Sequence, residues 1–332
     1  MKFTVHTLVA ASTLALLTAC GGDGDPAGGP TGSALAITST NQSNVARATI
    51  NGGLAVSSAS GSVGGGSAAS VADRSHAMGV ALDHALHVVG ARRARVASAG
   101  AHPAAVSTDT EPCADGGSIS TSFDDKDGNR QLTGGDVITA TFAQCRDDAT
   151  TAIDGAIAIT LSSTPTATQI VANAQFQHVS IAATGVTSVI DGLAGINETD
   201  TSTTSTTALN AGTGGLTVSV ASSSYTDTLV FDAGTAFNTS FDETSGNSTS
   251  SLHGAFTSSL LAGHVTVDTP TALAQGAADP YPSSGVIHVV GASGSALLIT
   301  VVSSSQVQLQ LDANGDGTYE SASNVAWSTL VP

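Results

Sequence analysis

The chain has 332 residues, a formal charge of −17 and 41% hydrophobic residues, with aromatics at only 4%. That is enough apolar material for a sizeable core. No Lys or Arg follows Arg146, while fifteen Asp and Glu residues do; phosphate binding needs cations, so nucleic acid is excluded as a partner of that region.

The N-terminus is a short basic start, an apolar run and small residues. Residues 1–19 read as a secretory signal peptide, too short for a comfortable membrane span. Leu17-Thr18-Ala19-Cys20 resembles the lipobox of bacterial lipoproteins, and that resemblance implies that Cys20 is the lipidation site and new N-terminus. Acyl chains bind at about 0.8 kcal/mol per buried methylene, so several of them hold a protein to a membrane nearly permanently. Gly21 rather than Asp follows the cysteine, which by the sorting rule of such proteins implies the bacterial outer membrane. Residues 20–34, rich in Gly, Asp, Pro and Ser, predict a flexible tether.

Residues 35–110 read as a helical preface with a Gly/Ser linker. Thr40 to Gly52 predicts a short helix stopped by the glycine. Ser70 to Gly90 predicts a second, amphipathic one. Ser70 and Asp73 make a capping box, and Val71, Met78, Leu82, Ala85 and Val89 form one apolar stripe. His84 and His87 lie beside the stripe; with no third ligand placed by spacing they read as a solvated face. Arg92, Arg93 and Arg95 read as partners for anionic lipid headgroups or, the preferred reading, for the acidic β-domain of the same chain.

Residues 111–332 read as one all-β domain. Short β-branched runs recur between turn residues, as in an antiparallel meander. The expected strands include 119–123, 137–142, 152–161, 169–181, 186–190, 216–220, 228–231, 252–261, 286–290, 297–302 and 307–311. Residues 200–207 read as exposed strand or loop, and Pro270 as the break after Val265 and Val267. Roughly ten to twelve strands of this kind make a strongly curved sheet, an incomplete barrel or a sandwich. The amphipathic helix is expected to cover an open face.

Cys113 and Cys145 remain as an even pair once Cys20 carries lipid. In an oxidising compartment they predict a disulfide. If the flanking strands pair about Asn129, Cys113 faces Cys145, Ile119 faces Thr139 and Thr121 faces Val137. Closing a loop of about 30 residues stabilises the fold by roughly 3–4 kcal/mol in the chain-entropy account.

Two acidic loops carry the candidate metal ligands. Asp125-Lys-Asp127-Gly-Asn129-Arg130-Gln-Leu-Thr-Gly-Gly-Asp136 fits the register of an EF-hand calcium loop at its first, third, fifth, eighth and twelfth positions, with Asp136 in place of the usual bidentate Glu. Arg130 stands where that loop carries glycine. Asp312-Ala-Asn314-Gly-Asp316-Gly317-Thr-Tyr-Glu320 keeps the glycine but has Ser323 at the twelfth position. Both loops read equally as Asx/Gly hairpin turns.

The lipobox, the Cys-x-x-Gly-Gly-Ser run, the Asp-x-Asp-Gly-Asn-x-x-Leu-Thr-x-Gly-Asp loop and the Thr-Phe-x-x-Cys run together resemble a group of uncharacterised bacterial outer-membrane lipoproteins. So does the ending, from Tyr281-Pro282 through the second acidic loop to Trp327-Ser-Thr-Leu330. The resemblance covers most of residues 111–332. It implies location and class and brings no activity.

Three functions follow as expectations. The first is a cell-envelope structural or interaction module, calcium-stabilised and without catalysis. The second is a carrier enclosing an apolar ligand in a half-barrel. The third, least favoured, is a hydrolase. His178, His253, His264 and His288 exist, but no Gly-x-Ser-x-Gly, His-Glu-x-x-His or phosphate loop accompanies them.

Overall fold

The computed structural model describes residues 32–57, 107–129, 131–146, 149–166, 168–183 and 185–331. The expected signal segment, Cys20, most of the expected tether, the helix expected over residues 70–90 with His84 and His87, the three arginines after it, and Arg130 lie outside them.

The fold is all-β. Among the described residues, helix α1 (Gln42–Ser57) comes first. Fifteen strands follow: β1 (Ser107–Pro112), β2 (Ser118–Asp124), β3 (Val137–Cys145), β4 (Thr151–Leu161), β5 (Gln169–Ala183), β6 (Val186–Asp200), β7 (Thr204–Ser222), β8 (Thr226–Phe231), β9 (Ala236–Asp242), β10 (Ser248–Ser258), β11 (Gly263–Gln275), β12 (Ser284–Val290), β13 (Ala296–Ser303), β14 (Gln306–Asp312) and β15 (Ser321–Ala326). A final turn of helix, α2, spans Trp327–Leu330. All strands belong to one antiparallel meander in chain order. The single exception is a shared lane: β8 and β9 lie end to end between β7 and β10, each pairing with half of both neighbours. The switch coincides with an insertion in β7, where the four residues 212–215 stand opposite Leu193 alone and its register against β6 jumps by three.

The meander forms because each strand alternates. In β14, Val307, Leu309 and Leu311 are buried while Gln306, Gln308 and Gln310 face outward. The inward residues of all lanes join one core. The sheet curls around α1, which touches β7 to β10 on one side and β13, β14 and α2 on the other. Val45, Ile50 and Val56 of the helix are buried there, each contributing about 1.5–3 kcal/mol of transfer free energy.

Several expectations change. The helix does not stop at Gly52 but runs on to Ser57. A Cβ at Gly52 would lie 2.7 Å from Leu229 and 2.9 Å from Phe231. The glycine therefore serves close packing, at a helix-propensity cost of about 1 kcal/mol. The residues of the expected preface that are described do not stand apart. Ile37 and α1 lie in the β-domain's core, and β1 begins at Ser107. It is α1 that fills the concave face, the place expected for the 70–90 helix.

Strands β1, β9 and β15 were not expected; all three are rich in Ser, Thr and Asn, with little apolar alternation to betray them. Residues 201–203 are a turn and β7 begins at Thr204. Pro270 does not end β11; it sits between two ladder irregularities, one toward β10 and one toward β12, where its missing N–H is not needed.

The register of the β2–β3 hairpin also differs from the expected one. Ile119 faces Phe142 and Thr121 faces Ala140, three residues away from symmetry about Asn129. Cys113 and Cys145 are nonetheless bonded, with Cα atoms 5.5 Å apart. Cys113 reaches its partner because it opens the β1–β2 turn, and that turn folds over the end of β3. The Asp115 N–H donates to the Arg146 carbonyl at 2.7 Å, and the Arg146 N–H to the Gly116 carbonyl at 2.9 Å. The disulfide thus ties the β1–β2 turn to β3.

Candidate functional site

In an antiparallel meander alternate turns fall at the same end of the sheet. The turns after β1, β3, β5, β7, β10, β12 and β14 share one end; those after β2, β4, β6, β9, β11 and β13 share the other. The two acidic loops, after β2 and after β14, are therefore at opposite ends.

The incoming chain docks at the end that holds the second loop. Ala34 bridges to His264, and the Leu35 N–H donates to the His264 carbonyl at 2.9 Å. The Ala292 N–H donates to the Leu35 carbonyl at 2.7 Å, and the Ile37 N–H to Ser295 Oγ at 2.9 Å. This segment continues the lane of β12 beyond Val290. Gly315 of the second acidic loop packs on the same β12–β13 turn; its Cβ would lie 2.3 Å from the Ser293 carbonyl.

In the first loop, Asp125, Asp127 and Asp136 each offer an oxygen within 4.8 Å of the others. Asp136 is fully buried. It accepts from the Lys126 N–H at 2.9 Å and the Thr133 N–H at 2.7 Å. Asp125 accepts from the Gly128 N–H, and Asp127 from the Asn129 N–H and side-chain amide. The single Thr133 hydroxyl proton serves either Asp127 at 3.0 Å or Asp136 at 3.2 Å. Asn129 Oδ1 accepts from the Gln131 N–H. The Asn129 N–H holds the Asp127 carboxyl below the usual carboxylate range, slight burial working against it.

The second loop groups Asp312, Asp316 and Glu320 within the same 4.8 Å. Asp312 is buried and accepts from the Gly315 and Gly317 N–H groups at 2.7 and 2.8 Å. Gly317 has φ +85°, a conformation that favours glycine. Asn314 Oδ1 accepts from the Asp316 N–H, Asp316 from the Thr318 N–H, and Glu320 from the Ala313 N–H. The Thr318 N–H, then the Asn314 amide, lower the Asp316 pKa. Burial, then the nearby Asp312 charge, raise that of Tyr319. Both donor sets are all oxygen, which suits a hard ion such as calcium rather than zinc or copper. The structure thus gathers the carboxylates of each predicted set, with Asn129 and Asn314 bracing the backbone.

A cluster that spacing could not suggest holds the docking end together. Asp227 is almost fully buried. It accepts from the Ser258 hydroxyl at 2.7 Å, the Ser259 hydroxyl and Leu260 N–H at 2.9 Å, and the Tyr225 hydroxyl at 3.1 Å. Burial and this carboxylate push the Tyr225 phenol above its ordinary range. Arg47 of α1 lies over the Tyr225 ring at 4.7 Å. Its members come from three elements, so only the alternation in β8, which turns Asp227 inward, could have hinted at it.

Three of the described strand histidines are paired with aspartates. His178 lies 3.4 Å from Asp191, His253 2.9 Å from Asp268 and His264 3.0 Å from Asp232. They do not converge on one pocket. No family model matches the chain, and neither curated proteins nor solved structures yield a match.

Proposed function

We propose that the protein is a lipid-anchored module of the bacterial cell envelope, held to the outer membrane through Cys20 and serving a structural or interaction role without catalysis of its own. The observation that carries the reading over a lipid carrier is the filling of the concave face by α1. Among the described residues, the cavity beneath α1, between Thr49, Ile50, Leu252, Leu273 and Ile287, measures only about 20 Å³, room for a single water at most; the larger depressions, of about 260 and 330 Å³, are open at the surface and lined largely by Thr, Ser, Asn and Ala. A carrier needs several hundred Å³.

Docking of residues 34–37 at one end gives the module a polarity. At most about 3.3–3.6 Å per residue of extended chain separates Cys20 from Gly32, which caps the stand-off near 40 Å. The second acidic loop then faces the membrane side and the first faces away. Replacing Cys20 by Ala is expected to move the protein from the membrane fraction to the soluble periplasm and abolish incorporation of labelled palmitate. Unchanged fractionation and labelling would refute the anchor.

Calcium is the ion for the two loops in this reading. Saturation at a hundredfold above Kd adds about 2.7 kcal/mol per site to the folded state. Thermal unfolding in calcium against excess chelator is expected to show a higher Tm with calcium, reduced in part by Asp136→Asn and by Asp312→Asn separately. A Tm that ignores both ion and chelator would make the loops plain turns.

A further inference from the structure

Three neighbouring strands place two imidazoles and a carboxylate in one row on the solvent face. Asp268 of β11 and His288 of β12 are directly opposite partners. On the other side Gly254 faces Val267, so His253 of β10 is next to Asp268, and its Nδ1 lies 2.9 Å from Asp268 Oδ1. Leu252, Val267, Ile287 and Val289 are buried, so strand alternation turns His253, Asp268 and His288 outward together. The side chains of His253 and Asp268 are 76% and 52% exposed, and His288 is half-buried.

We infer that this row binds a divalent transition ion of the zinc class through His253, Asp268 and His288. Zinc takes imidazole nitrogen and carboxylate oxygen at about 2.0–2.2 Å, which sets neighbouring tetrahedral ligand atoms about 3.3 Å apart. The His253 and Asp268 atoms are already near that separation. Cβ atoms of opposed residues in adjacent strands are about 4.5–5.5 Å apart. In the structure the three ligand atoms do not yet lie within 4.8 Å of one another; binding requires the His288 side chain to rotate toward Asp268 from the facing position on β12, with water completing the shell.

The backbone beneath is pinned rather than loose. The ladder breaks beside Asp268 on both sides, and Thr269 fills the gap toward β10. Its Oγ1 accepts from the Leu252 N–H and donates to the Leu252 carbonyl, both at 3.0 Å. The other two His–Asp pairs differ: Asp191 faces Thr217 on the next strand, and His264 faces Thr257. Among the described residues, only the row at Asp268 has an imidazole on each side. Its mixed nitrogen and oxygen donors separate it from the all-oxygen loops, which prefer harder ions.

The test titrates zinc into the full chain, purified in detergent without a polyhistidine tag. Excess calcium keeps the acidic loops occupied, and a chromogenic chelator reports free metal. One zinc per chain is expected. Losing even a residue that only orients a ligand costs about 10–100-fold in affinity, so His253→Ala and His288→Ala should each weaken binding at least about tenfold. Asp268→Asn should also weaken it, and His178→Ala should leave it unchanged. All four positions are exposed or half-exposed, and an unchanged Tm verifies folding. Absence of zinc binding in the parent chain, or binding that survives both His253→Ala and His288→Ala, overturns the proposal.

Discussion

Replacing Cys113 and Cys145 together by Ala is expected to lower the unfolding free energy by roughly 3–4 kcal/mol. The two cysteines are 32 residues apart in sequence, and the linkage removes much of the freedom of that stretch in the unfolded chain. The loss should not be uniform. Among the described residues, strand β1 has only β2 as a ladder neighbour. The turn that follows it is held to β3 by the disulfide and the two backbone bonds to Arg146. Amides of β1 and residues 113–117 should therefore lose hydrogen-exchange protection first, while β5 to β7 keep theirs. Denaturant unfolding of the double variant checks the magnitude, and exchange checks the location. A midpoint within experimental error of the parent would show that the unfolded chain is not constrained by the link.

The second large effect is expected at Trp327, the one tryptophan in the chain. It is fully buried and stacks on Tyr281 with ring centroids 5.5 Å apart and planes inclined by 7°. Its indole N–H donates to the Ser303 carbonyl at 3.1 Å. The short helix it begins is tied back to α1, since the Asn51 side chain donates to the Leu330 carbonyl at 2.9 Å. Trp327→Ala removes the plug between the last strands and the central helix and should cost about 3–5 kcal/mol. At roughly 2–4 °C per kcal/mol for a domain of this size, Tm should fall by about 10 °C. Trp327→Phe retains ring packing but leaves the carbonyl unpaired, and should cost about 1–3 kcal/mol. If the Ala variant melts within two degrees or so of the parent, α2 is a dispensable tail.

The class of fold was legible because it rests on short-range signals. Alternation in Leu216 to Val220 and in Val307 to Leu311, with turn residues between, makes half-buried antiparallel strands whatever their neighbours. The acidic loops were legible for the same reason, since their carboxylates lie within twelve residues of one another and close on their own amides. Pro270 misled because a proline breaks a regular ladder, and nothing local announces that the ladder is already interrupted on both sides. Gly52 misled because a glycine that stops a helix and one that admits Leu229 and Phe231 look alike in one dimension.

By itself, then, the sequence determined an all-β meander, two oxygen-rich turns and a pair of cysteines fit to bond. The tertiary structure alone decided the register that carries Cys113 over the end of β3, the helix that fills the curl of the sheet, and the opposite placement of the acidic loops. It also decided the row of His253, Asp268 and His288. The physical reason is common to all four. Alternation fixes which face a side chain takes, but the partner across a strand is chosen by turn lengths and bulges summed along the whole meander, and no single segment contains that sum.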